Sequence, residues 1–157
     1  MERIPMTSGG YQRLVSELKQ LKEIERPAII TAISEAREHG DLSENAEYHA
    51  ARERQAFIEG RVIELESIIG HAEVIDPGKL GGQTVRFGAT VTLIDEETED
   101  KSTYQIVGAH ESDVKGGLIS VTSPLARALI GRSAGDSIEV STPNGGRTYE
   151  ILKVTYV

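Results

Sequence analysis

Apolar residues recur along the first half of the chain at steps of three and four. Leu14, Leu18 and Leu21, then Ile29, Ile33 and Ala36, fall on one face of a helix, and the spacing is that of a coiled-coil seam. Between Leu21 and Ile29 the register slips, and Pro27 lies in the gap, which predicts a kink or local unwinding. Thr7 or Ser8 is the expected N-cap. A second helix carries Phe57 or Ile58, Val62, Leu65, Ile69 and Ala72 on its apolar face. Joined at Gly40, the two fold back as an antiparallel hairpin. Roughly 32 residues per arm, at ~1.5 Å each, give a length of about 45 to 50 Å. That exceeds the width of a small domain, so one end is expected to project, with the Gly40 turn farthest from the rest of the chain.

The pattern changes near residue 76. After "DPGKLGG" the apolar positions alternate in short runs between glycine and acidic turns. Strands are predicted in "TVRFGATVTLID", "TYQIVGA", "LISV", "SIEVST" and "TYEILKVTY", with turns at "DEETEDKS" and "PNGG". Val91, Leu93, Ile138, Val140, Tyr149 and Ile151 are placed inward by alternation. In "TSPLARALIG" Ser123 reads as an N-cap, Pro124 as the first helical residue and Gly131 as the residue just past the end. The predicted fold class is α+β: a helical hairpin over residues 1–75, a linker at 76–82, and an antiparallel sheet with one short helix over 83–157.

Composition narrows the setting. The 157 residues are 38% hydrophobic and 27% charged, a globular balance. No apolar run reaches the ~20 residues needed to span a bilayer. "MERIPMTSGG" has no apolar signal region, which predicts a cytoplasmic protein with no membrane partner. The absence of cysteine removes disulfides, thiolate metal sites and cysteine nucleophiles. Net charge is −8, divided as −6 over residues 1–76 and −2 over the rest. That balance argues against an independent nucleic-acid binder, which concentrates Lys and Arg against phosphates.

The charge is concentrated at the hairpin turn. "EAREHGDLSENAEYHAARE" carries Glu35, Glu38, Asp41, Glu44, Glu47 and Glu53 around Gly40. Helix chemistry explains part of this. Asp41 and Glu44 have the spacing of a capping box at the start of the second helix, and Glu47 gains from the helix dipole. Glu35 and Glu38 are at the wrong end of the first helix, where a carboxylate costs about 0.3 to 1 kcal/mol. A second reading takes Asp41 and Glu44 as carboxylates within reach of one divalent cation. Two carboxylates are too few for a tight protein-only site; Mg²⁺ held by one or two carboxylates takes its other oxygens from water and phosphates. The pair is then half of a site, completed by a partner.

The stretch "HGDLSENAEYHAA", with "RPAIITAI", "IEGRVIELESIIGHAEVID", "FGATVTL", "LISVTSPLARALIG" and "YEILKVTYV", resembles the Gre family of bacterial transcript-cleavage (transcription elongation) factors over essentially the whole chain. Sparse basic residues on the arm make it similar to the GreA-like type rather than the GreB-like one. The resemblance implies a coiled-coil arm that enters the secondary channel of bacterial RNA polymerase and an FKBP-like C-terminal domain that docks on the channel rim. It further implies that Asp41 and Glu44 help retain a second Mg²⁺ at the polymerase active centre. The extruded 3′ end of nascent RNA in a backtracked complex is then hydrolysed and elongation resumes. On this reading the chain is monomeric, is not itself an enzyme, and holds no cofactor of its own.

Arg37, Arg52 and Arg54 are candidate contacts to extruded RNA, and Tyr48 a candidate to stack on a base. The alternative is a solvated helix face with ion pairs to Glu38 or Glu53. His39 and His49 lack orienting groups and read as bystanders. Ser123 and Pro124 are candidates for polymerase docking, against a purely helix-starting role. Two other functions use the same architecture: a channel-binding regulator or inhibitor without cleavage stimulation, and a prolyl isomerase. The isomerase needs an aromatic-lined pocket, for which the second half offers only Phe87, Tyr104, Tyr149 and Tyr156.

Overall fold

The computed structural model describes residues 3–157. These form two units: one is Tyr11–Ala72, and the other joins Arg3–Gly10 to Glu73–Val157.

The first unit is the helical hairpin. Strand β1 (Ile4–Thr7) leads into helix α1 (Ser8–Gln20), followed by a π-helical segment (Leu21–Glu25), α2 (Arg26–Arg37) and the returning α3 (Ala46–Gly70). Thr7 is the N-cap of α1, its hydroxyl accepting from the Gly10 amide at 3.1 Å. Leu14, Leu21, Ile33 and Ala36 are buried, and Leu18 and Ile29 half-buried. From α3, Ala51, Ile58, Val62, Leu65 and Ile68 are buried. Of the adjacent pair Phe57 and Ile58, the seam takes Ile58, 1% exposed, and leaves Phe57 58% exposed. Two expectations for α3 are corrected: Ile68 rather than Ile69 is the buried residue, and Ala72 begins a strand.

The predicted irregularity is the π-helical segment. Leu21 and Ile29 are eight residues apart where a heptad seam needs seven, so the chain carries one residue too many for an α-helix to keep both on the same face. A π-helix accommodates that residue, with the Arg26 amide donating to the Leu21 carbonyl. Pro27 follows at once in a helix that continues without a break, so its missing N–H removes one rung next to the ladder's irregular turn.

Ion pairs brace this region across the arms. Arg61 binds Glu17 through Nε and Nη2 at 2.7 and 2.9 Å, and Arg26 binds Glu59 the same way at 2.8 and 2.7 Å. Arg54 pairs with Glu25. Hydrogen bonds from Arg61 and Arg26 hold the Glu17 and Glu59 carboxyls below the ordinary carboxylate range, against the opposing effect of burial.

The second unit is built on a five-stranded sheet in the order β5-β4-β3-β7-β6. Its strands are β3 (Thr90–Asp95), β4 (Lys101–Val107), β5 (Leu118–Ser120), β6 (Ser137–Thr142) and β7 (Gly145–Thr155), with α4 (Pro124–Leu129) after β5. The sheet departs from the all-antiparallel expectation, since β5 runs parallel to β4. Residues 108–117 cross over between the two strands, where a tight hairpin would have forced antiparallel pairing. Val91, Leu93, Ile138, Val140 and Ile151 are buried as alternation predicts, and Tyr149 is packed half-buried against them. A register shift between Thr92 and Leu93 lets β7 turn both Ile151 and Val154 inward. "TVRF" forms no named strand: Thr84 makes an isolated bridge with Ser133, and Val85, fully buried in the core, exchanges backbone bonds with Gly131 and Arg132. Within 76–82, Asp76 caps a short 3₁₀ turn (Pro77–Lys79) whose Pro77 is buried.

Strand β1 pairs with β2 (Ala72–Ile75), which places residues 3–10 with the second unit. Glu111 secures them. Only 7% exposed, its carboxylate accepts from the Thr7 amide at 3.0 Å, the Thr7 hydroxyl and the Gly108 amide at 2.7 Å. Gly108 has to be glycine, because a Cβ there would lie 2.3 Å from the Pro5 carbonyl oxygen.

Two measurements test this account of the hairpin. Deleting exposed Glu23 restores seven-residue spacing between Leu21 and Ile29 and should convert the π segment to α-helix. Hydrogen exchange of amides 22–26 should slow and the unfolding midpoint should hold or rise; unchanged exchange would show that packing, not the extra residue, imposes the π turn. Acid should weaken the hairpin. A carboxyl whose folded pKa is depressed contributes stability above its unfolded value and loses it as pH falls through the folded value. Melting temperature should therefore be flat near neutrality and fall below about pH 4.5, with a shallower fall in Arg61→Gln.

Candidate functional site

Helix α2 ends at Arg37, with Glu38 as C-cap, and the chain turns through His39 and Gly40. Gly40 has φ +110°, a conformation other L-residues rarely adopt, although open space surrounds its Cβ position. Asp41 precedes a 3₁₀ turn (Leu42–Glu44), and Asn45 precedes α3.

Asn45, rather than Asp41, is the N-cap of α3: its Oδ1 accepts from the Tyr48 amide at 3.0 Å. The expected Asp41–Glu44 capping box does not open α3, because a 3₁₀ turn intervenes and moves the helix start four residues on, to a residue that caps as well as aspartate. Tyr48 occupies the third helical position where a capping box needs Glu or Gln. Glu47 is in the first turn, as the dipole reading expects. Asn45 also donates through Nδ2 to the Ala36 carbonyl at 2.7 Å, joining the end of α2 to the start of α3.

Asp41 and Glu44 are both exposed and line one open recess of about 440 Å³ with His39, Asn45, Ala46 and Glu47. Among the described residues, no three His, Cys, Asp or Glu side chains are grouped to hold a metal ion. The donors present suit a hard cation such as Mg²⁺ in kind but fall short in number.

Three of the candidate nucleic-acid contacts come together. The Arg37 guanidinium lies 5.9 Å from the centre of the Tyr48 ring. A hydrogen bond from Arg37, aided by the charge of Arg52, holds the Tyr48 phenol below its ordinary pKa despite the opposing effect of burial. Arg37 and Arg52 also share a depression of about 260 Å³ with Ile30, Ile33, Ser34 and Gln55. Arg54 is directed elsewhere, pairing with Glu25 and covering the Phe57 ring at 4.9 Å. His39 lines the acidic recess, and His49 meets Tyr48 edge-on at 5.6 Å.

In the second unit Ser123 caps α4 by accepting from the Ala126 amide at 3.3 Å, and Pro124 is its first residue, exposed. The helix-starting role is therefore filled, and Pro124 is also presented to solvent. The residue that sequence reasoning passed over is Asn45. It is a good N-cap type immediately before a helical run, but Asp41 with Glu44 supplied a competing signal.

Residues 4–74 match the family described as the N-terminal domain of transcription elongation factor GreA/GreB, and residues 80–156 match its C-terminal counterpart. The protein from Caulobacter sp. strain K31 named transcription elongation factor GreA is 64% identical over 157 residues, all of both chains. The one so named from Paracoccus denitrificans is 62% identical, again over the full length of both. Among solved structures, GreA factor homolog 1 of Thermus thermophilus is 28% identical, with 98% of this chain and 99% of that one covered and a TM-score of 0.45.

The Arg37 contact can be read directly. A guanidinium favours the phenolate over the neutral phenol, so Arg37→Ala should move Tyr48 ionisation to higher pH. An ultraviolet titration, with Tyr48→Phe identifying the signal, checks this; an unmoved titration would place the Arg37 side chain away from the ring.

Proposed function

Because the chain belongs to the GreA/GreB family of transcription elongation factors, we propose that it acts on bacterial RNA polymerase, bringing the turn of its hairpin into the secondary channel to stimulate 3′ cleavage of nascent RNA in backtracked complexes. The observation that carries this reading is the pair of exposed carboxylates, Asp41 and Glu44, in one open recess at a hairpin turn. A recess so open cannot by itself exclude water or orient a substrate, both of which a stand-alone hydrolase requires.

Asp41 and Glu44 would be the residues that hold Mg²⁺ jointly with the polymerase. Bound there, the cation supplies Lewis acidity to phosphodiester hydrolysis. The chain's own contribution is to bring negative charge to a centre short of ligands. The guanidinium groups of Arg37 and Arg52, gathered at Tyr48, are suited to hold the phosphates of the extruded RNA. Tyr48 supplies a ring for a base only by exchanging its contact with Arg37. Docking on the channel rim is assigned to the start of α4, where Pro124 is exposed beside Ser123. The factor works as a monomer and is not itself an enzyme.

Purified polymerase stalled in a backtracked complex, with labelled RNA and Mg²⁺, tests the reading. The wild type should shorten RNA from its 3′ end. Asp41→Asn and Glu44→Gln should bind polymerase as before and slow cleavage by at least ten-fold, a loss of about 1.4 kcal/mol or more in transition-state stabilisation. Inhibition of elongation that survives both substitutions, without cleavage, would instead favour a channel-binding regulator.

A further inference from the structure

All four polar groups of Asn45 are committed, and together they define the turn. Its amide donates to the Leu42 carbonyl at 3.4 Å, closing the 3₁₀ turn, and its carbonyl accepts from the His49 amide at 3.1 Å, opening α3. Oδ1 caps the Tyr48 amide, and Nδ2 reaches across to the Ala36 carbonyl in the last turn of α2. Asp41 and Glu44 are both within the nine-residue span that this last bond closes. The Nδ2 bond ties the last turn of α2 to the N-cap of α3, beside the side-chain contact of Arg37 with Tyr48, and an amide side chain supplies that tie and the cap from two separate atoms. Aspartate at this position offers no donor, and serine has only one short hydroxyl, which has no second atom to reach Ala36 while its oxygen caps Tyr48.

We infer that Asn45 is a positioning residue for the cleavage reaction: its Nδ2–Ala36 bond fixes the separation and orientation of Asp41 and Glu44, so that the two carboxylates meet one cation without first having to order the turn. This rests on the functional reading above. The physical cost of losing the bond is entropic. A loosened 41–45 segment has to be immobilised when it engages the cation, and that ordering is subtracted from the free energy of the encounter. The carboxylates themselves are unchanged, so the deficit should yield to a higher concentration of cation.

Substitutions separate this role from ordinary capping. Asparagine, serine and aspartate cap helices about equally, so a residue that acted only as a cap would tolerate both changes. Asn45→Ser keeps the cap and both backbone bonds and removes the tie to α2. Asn45→Asp keeps the cap and turns a second carboxylate oxygen toward the Ala36 carbonyl, a repulsive arrangement, so it should be the more impaired. The full-length variants are compared by hydrogen exchange without polymerase and by transcript cleavage across a Mg²⁺ series. In Asn45→Ser, exchange of amides 41–45 should quicken about five-fold while the centre of α3 keeps its protection. The Mg²⁺ concentration for half-maximal cleavage should rise by a similar factor, about what one neutral hydrogen bond is worth, and saturating Mg²⁺ should restore the rate.

Wild-type exchange in Asn45→Ser would overturn the inference, as would quickened exchange with an unchanged Mg²⁺ requirement. A deficit that Mg²⁺ cannot restore would likewise reduce Asn45 to a fold-stabilising residue. If the wild type leaves backtracked RNA uncleaved, the functional reading fails and the positioning role falls with it; cleavage by the wild type but not by Asp41→Asn, with Asn45→Ser indistinguishable from wild type, overturns the positioning role alone.

Discussion

A two-helix hairpin has one stripe of surface to bury, and this constraint governs the first unit. Each buried seam side chain contributes about 1.5 to 3 kcal/mol, whereas each partly exposed ion pair contributes about 0 to 1. Leu14, Leu21, Ile33, Ile58, Val62, Leu65 and Ile68 therefore hold the arms together, and the Arg–Glu pairs mainly fix their alignment. A seam one side chain deep leaves no interior in which to build a catalytic pocket. Reactive groups on such a unit have to be on its flanks or at its turn, and must borrow whatever enclosure they need from another molecule.

The turn meets this demand by dividing labour. Had Asp41 capped α3, its carboxylate would have been held by the helix it stabilised. The 3₁₀ turn at Leu42–Glu44 moves the helix start to Asn45, so a neutral amide does the capping and Asp41 and Glu44 line the recess. The cap of α3 and the two exposed carboxylates are thus different residues a few positions apart. At the start of α1, by contrast, a carboxylate is used structurally: that of buried Glu111 holds Thr7 and Gly108.

Much of this was legible because it is local and periodic. The slipped register between Leu21 and Ile29 foretold the π segment, and Ser123, Pro124 and Gly131 marked the limits of α4. What escaped depends on partners far away in sequence or on choices between neighbours. Phe57 or Ile58, and Ile68 or Ile69, are adjacent apolar residues, and the opposing arm decides which enters the seam. Strands β1 and β2 have four residues each, too few for alternation to show. Glu111 is 104 residues from Thr7, and nothing near it in sequence reveals that contact. The parallel pairing of β5 depends on the path of a crossover rather than on the strand's own three residues.

Net charge and local charge lead to different conclusions here, and length scale reconciles them. A chain at −8 repels a polyanion from a distance. Exposed charges separated by more than about 8 Å are largely screened at physiological ionic strength, so once contact is made the neighbouring groups decide. Arg37 and Arg52 gather at one depression and Asp41 and Glu44 line another. The hairpin end thus presents positive charge at one depression and negative charge at the other. Such an end would gain little from free RNA or free Mg²⁺ alone. On the function proposed above, it would gain from a site where a phosphate chain and a divalent cation are already held side by side, as at a transcript's 3′ end in a polymerase.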